Sequence, residues 1–102
     1  MYPTMEKAIN IDFFLLKKSA IIFRALNHPL RQSIFHLLDE MGKMTVSEIY
    51  GKPHLEQSVA SQHLAIMRRA GIVKTERDRK FVFYRLNHER IVQIDKSIKE
   101  LL

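Results

Sequence analysis

The sequence predicts a mainly α-helical domain carrying a single β-hairpin. Three observations point there. Helix formers abound while Gly and Pro number only three each in 102 residues. Apolar residues recur at three- and four-residue steps through most of the chain. The period changes once, near residues 72–86, where "IVKTERDRKFVFYRL" alternates and becomes rich in aromatic and β-branched side chains. At this length one domain spanning 1–102 is expected, with a core small enough to gain from burial against a second copy.

The first helix is expected over residues 10–26, NIDFFLLKKSAIIFRAL. Phe13, Leu16, Ala20 and Phe23 lie on one stripe, and Phe14, Leu15, Ile21 and Ile22 widen it beyond what one small core needs. "NHPLRQSIFHLLDEMG" predicts the second helix, with Pro29 in its first turn and Asn27 or His28 just ahead. Its inner stripe reads Leu30, Ile34, Leu37, Leu38 and Met41, and Gly42 stops it. "MTVSEIYGKP" predicts a short third helix: Thr45 and Glu48 form a capping box, Val46 and Ile49 face inward, and Gly51 with Pro53 break it.

The fourth helix is expected over residues 56–70, with Ala60, Leu64 and Met67 inward and Gly71 at its end. The alternating segment then predicts two strands joined by an "RDRK" tip, with Phe81 and Phe83 pointing to the core. Asn87 caps a last helix in which Ile91, Ile94, Ile98 and Leu101 take the spacing of a helix–helix seam.

Composition excludes several classes of function. With no cysteine there are no disulfides, thiol redox centres or thiolate metal sites, which fits a cytoplasmic location. No stretch approaches the ~18 apolar residues of a membrane span, so no membrane partner is expected. The net charge of +6 is concentrated. Residues 52–90 hold nine Lys/Arg against four Asp/Glu, while residues 1–51 hold six against five. A localised basic stretch favours a polyanion, although a solvated basic face gives the same count.

The fourth helix sharpens that choice. Its outer side presents Gln57, Ser58, Val59, Ser61, Gln62 and His63, mostly short side chains that both donate and accept. A short helix, a turn and this helix make a helix-turn-helix, and the hairpin after it makes a wing. Such a second helix lies in the major groove of double-stranded DNA. There amides pair with adenine, hydroxyls suit either partner, and a methyl group meets thymine. Arg68, Arg69, Lys74, Arg77, Arg79 and Lys80 are then placed for phosphates or the minor groove.

"ALNHPLRQSIFHLL", "QSVASQHLAIMRRAGIV" and "RDRKFVFYRL" resemble, in order, segments of the ArsR/SmtB family of small winged-helix regulators. The likeness spans roughly residues 20–95. It implies a homodimer built from the first and last helices, binding palindromic operator DNA and usually repressing transcription. Phe13, Leu16, Ala20, Phe23, Ile91, Ile94, Ile98 and Leu101 would form that interface. Gln57, Ser58, Ser61, Gln62 and His63 match the family's recognition positions, and Arg79 its wing arginine. Two departures stand out. Ala60 replaces the usual larger apolar residue, and Asp78 replaces the hairpin glycine.

The family's metal sites are not matched. "TVSEIY" lacks cysteine, and His88, Arg90 and Leu101 occupy the places of ligand pairs on the last helix, where Arg90 and Leu101 cannot ligate. No regulatory metal and no cofactor are expected, and the effector stays unassigned. His36 with Asp39 or Glu40 reads as an ordinary exposed pair, and His28/His36 and His54/His63 lack ligand spacing. Ser61 and His63, two apart on a helix, do not face each other. No acid–base pair, glycine loop or cofactor fingerprint is present, so an enzyme is not expected. The competing readings are a winged-helix protein-interaction module and a sequence-neutral architectural DNA binder.

Overall fold

The computed structural model describes residues 9–51 and 56–102. The expected helix breaker Pro53, and His54 of the His54/His63 pair, lie outside the described residues. The order is α1 (Phe13–Leu26), α2 (Pro29–Met41), β1 (Lys43–Thr45), α3 (Val46–Gly51), α4 (Gln57–Arg69), β2 (Val73–Asp78), β3 (Phe81–Leu86) and α5 (His88–Leu101).

Local chemistry sets the helix ends. Asp12 accepts from the amides of Phe14 and Leu15 at 3.1 and 3.2 Å, so α1 begins at Phe13 and not at residue 10. His28 caps α2 by accepting from Leu30 N–H through Nδ1 at 3.2 Å, with Pro29 directly inside. The Thr45–Glu48 box closes both ways: Glu48 accepts from Thr45 N–H at 2.9 Å, and Thr45 Oγ1 accepts from Glu48 N–H at 3.3 Å. Asn87 Oδ1 accepts from Arg90 N–H at the start of α5.

The sheet corrects one expectation. The hairpin is part of a three-stranded antiparallel sheet in the order β1-β3-β2. β1 pairs with β3 from Lys43↔Arg85 to Thr45↔Phe83. Three residues are too few to show an alternation, so the strand exists only through its partner. Met44 at its centre is 2% exposed and belongs to the core. The hairpin joins Asp78 to Phe81 through Arg79 and Lys80, and Arg79 takes the left-handed φ of +59° in a place that favours glycine.

Ile34, Leu38, Met44, Ile49, Leu64, Met67, Ile72, Val73, Leu86 and Ile94 form the centre of the core, gathering side chains from α2 through α5. Two residues expected there lie elsewhere. Met41 is 51% exposed, because α2 has reached its last turn and passed the core. Phe81 is 49% exposed, because the wing tip extends beyond the helices; its ring lies 6.2 Å from that of the half-buried Phe83.

Gly71 is the joint between α4 and the wing. Its N–H donates to Arg68 O and Ile72 N–H donates to Met67 O, the paired bonds of a Schellman stop, at φ +78°. A Cβ there would lie 2.7 Å from Arg90 Nε, so α5 closes over this spot. Gly71→Ala should cost about 1–2 kcal/mol from the left-handed backbone alone, more as Arg90 is displaced. Urea denaturation measures the loss, and Gly51→Ala, where a Cβ meets open space, should show far less.

Candidate nucleic-acid interface

The apolar stripe of α4 decides which side chains face out. Ala60, Leu64 and Met67 are 0% exposed. Gln57, Ser58, Ser61 and Gln62 lie on the opposite side and are exposed; Val59 and His63, on the flanks, are half-buried. Gln57 and Arg69 end the helix about 18 Å apart along its axis. Arg68 and Arg69 are both exposed in the last turn. Ala60, small as its side chain is, is as fully buried as Leu64 and Met67.

The wing carries exposed Lys74, Arg77, Arg79 and Lys80. Its charges divide into two groups. Lys43 Nζ and Arg85 Nη1 each donate to the Glu76 carboxylate at 3.0 Å, tying the three strands together across their face. Those hydrogen bonds, first from Lys43 and then from Arg85, hold the Glu76 carboxyl below the ordinary carboxylate range. Among the described residues no carboxylate pairs with Arg68, Arg69, Lys74, Arg77, Arg79 or Lys80. Lys80 lies over the Phe81 ring at 5.4 Å, which braces the tip without neutralising it.

His63 is more engaged than Gln62 beside it. Its Nδ1 lies 3.3 Å from Arg31 Nη1, and its ring centroid is 4.8 Å from that of His28. Burial first, then the charges of His28 and Arg31, lower its pKa from the ordinary 6.5. Sequence reasoning missed Arg31, although a signal existed. It precedes Ile34 by three and Leu38 by seven, which puts a charge on the buried stripe of α2.

The expected dimer residues are split between two environments. Phe13, Leu16 and Leu101 are 71%, 54% and 76% exposed. Ile98 is only just exposed, and Ala20, Phe23 and Ile91 are half-buried. Ile94 is taken up by the chain's own core. Phe14, Leu15 and Ile21 extend the exposed apolar surface of α1, and Val92, 66% exposed, extends that of α5. Among the described residues no three His, Cys, Asp or Glu gather to hold a metal. No helix among them is long and apolar enough to cross a membrane.

A profile of the bacterial regulatory proteins of the arsR family matches residues 28–75, from the α2 cap into β2. An HTH-type transcriptional regulator of Methanocaldococcus jannaschii is 38% identical over 85 residues, covering 83% of this chain and 96% of its own. The chain belongs to the ArsR family. This ArsR-family member is a winged helix-turn-helix DNA-binding transcriptional regulator, not an enzyme. A biofilm growth-associated repressor of Agrobacterium fabrum is 32% identical over 96 residues, covering 94% of this chain and 75% of its own. The solution structure of a homodimeric winged helix-turn-helix DNA-binding domain from Mycobacterium bovis has the same fold. It superposes with a TM-score of 0.75 at 24% identity, covering 93% of this chain and 89% of that one.

The lowered His63 pKa sets the direction of a pH effect. The unfolded chain binds a proton near 6.5 and the native ring binds it less readily. Stability is therefore whole above that pH and declines as pH falls toward the lowered value. Denaturation at pH 7.5 and 5.5 should show a loss for the wild type and a smaller one for His63→Gln.

Proposed function

We propose that this regulator acts as a homodimer that reads a palindromic operator through α4 and represses transcription. One observation carries the reading: a face of Gln57, Ser58, Ser61 and Gln62 stands exposed opposite a fully buried stripe, beside cations with no acidic partner among the described residues. The first turns of α4, including Val59 and His63, enter the major groove. Arg68, Arg69, Lys74, Arg77, Arg79 and Lys80 bind phosphates, with the wing tip alongside. The exposed apolar surfaces of α1 and α5 meet their copies, which supplies burial that one 102-residue core lacks. The two-fold axis then spaces the half-sites by one or two helical turns, multiples of roughly 34–36 Å. The similarity to a repressor and the cysteine-free composition support repression and a cytoplasmic site of action.

Selection from a random duplex pool tests the reading. An enriched palindrome, with a reporter silenced when that palindrome overlaps its promoter, is the expected result. A flat selection would instead favour a sequence-neutral binder, and reporter activation would reverse the regulatory sign. Gln62→Ala should cost roughly 1–3 kcal/mol on the selected duplex and relax one base position. Arg79→Gly, which relieves the left-handed strain at φ +59°, should leave stability equal or higher. It should weaken every duplex alike and lower the salt slope by about 0.9 for each phosphate the wing no longer neutralises.

The dimer is tested separately. Leu16→Asp leaves the core untouched and should convert a sedimenting dimer into a helical monomer with weakened operator binding. A wild type that is itself monomeric at micromolar concentration would refute the symmetric arrangement.

A further inference from the structure

Arg31 is the buried charged side chain of the described core, 8% exposed. Its guanidinium joins three helices. Nε donates to Ala25 O at 2.6 Å and Nη2 to Arg24 O at 3.3 Å, both carbonyls in the last turn of α1. Nη1 points at His63 Nδ1 on α4, at 3.3 Å. A guanidinium only donates and stays charged, so Nδ1 must be the acceptor. The ring proton then resides on Nε2. His28 flanks the same ring at 4.8 Å, its own Nδ1 occupied by the Leu30 amide.

We propose that Arg31 is a positioning residue for DNA recognition: it holds His63 as the neutral Nε2–H tautomer, so that α4 offers the duplex a hydrogen-bond donor of defined place beside Gln62. The inference rests on the operator-reading role of α4. An N–H donor in the major groove suits a purine N7, guanine O6 or thymine O4. The half-buried ring keeps part of its surface open. A protonated ring would place a second cation against the guanidinium, and burial with His28 and Arg31 opposes that charge. The same guanidinium binds the end of α1. The helix proposed to set the distance between protomers and the helix proposed to read bases therefore share one anchor.

Lysine at position 31 keeps the charge but loses the planar fork that reaches both the α1 carbonyls and His63. Three proteins separate the contributions: Arg31→Lys, His63→Leu and His63→Gln, the last retaining an amide donor. Imidazole nitrogen NMR of the free protein at pH 7.5 should show an unprotonated Nδ1 and a protonated Nε2 on His63. In Arg31→Lys the tautomers should mix. Competition between the selected duplex and a scrambled one should lose about fivefold in selectivity for Arg31→Lys and His63→Leu, the worth of one hydrogen bond. His63→Gln should keep most of it.

A wild-type His63 that is cationic or tautomerically mixed at pH 7.5 overturns the inference whatever DNA does. A single tautomer together with unchanged selectivity in Arg31→Lys and His63→Leu also overturns it, and leaves operator reading by α4 intact. A wild type that enriches no sequence removes the operator reading itself, and the donor role with it.

Discussion

Everything at the interface depends on how completely α4 buries three side chains. Ala60, Leu64 and Met67 are spaced four and three residues apart and retain no exposed surface. A helix pinned along one stripe cannot rotate without lifting apolar groups into water. Each buried side chain of Leu or Met size is worth roughly 1.5–3 kcal/mol, while rotation would return only solvent contacts to the outer amides and hydroxyls. The polar face is therefore displayed because the opposite face is held. The Schellman stop at Gly71 extends the constraint: Ile72 turns back onto Met67 and leads directly into the wing.

Electrostatics then separates structural cations from available ones. Glu76 accepts from Lys43 and Arg85, and in doing so ties β1 to β2 across β3. That arrangement leaves the hairpin tip and the end of α4 with positive charge and no neighbouring carboxylate among the described residues. A polyanion gains from such a surface through counterion release, and the gain is independent of base sequence. In the proposed function, discrimination falls to the short polar side chains of α4. The wing cations stand on a different element from those side chains, so either can be altered without disturbing the other.

Much of this is legible in the sequence because it depends on local rules. The four longer helices follow from apolar periodicity, and the capping chemistry of Pro29, Thr45, Glu48, Asn87 and Gly71 is read directly from residue type. The inward stripe and outward polar set of α4 follow from a 3.6-residue period. β1 is not legible, because three residues carry no period and pair only with a strand forty positions away. Phe81 departs from its expected place for a related reason. Alternation tells which face a side chain takes, but not whether anything stands opposite it.

The sequence by itself determined the type and order of the longer elements, the concentration of charge in residues 52–90 and the chemistry available on α4. These are properties of neighbours along the chain. Tertiary structure alone decided that Arg31 reaches from α2 to both α1 and His63, that Glu76 pairs with Lys43 and Arg85 and not with the cations of the wing tip, and that Ile94 serves the core while Leu16 faces water. Such outcomes depend on the relative placement of segments far apart in sequence. No periodicity or propensity encodes that placement; it follows from the packing of the whole core.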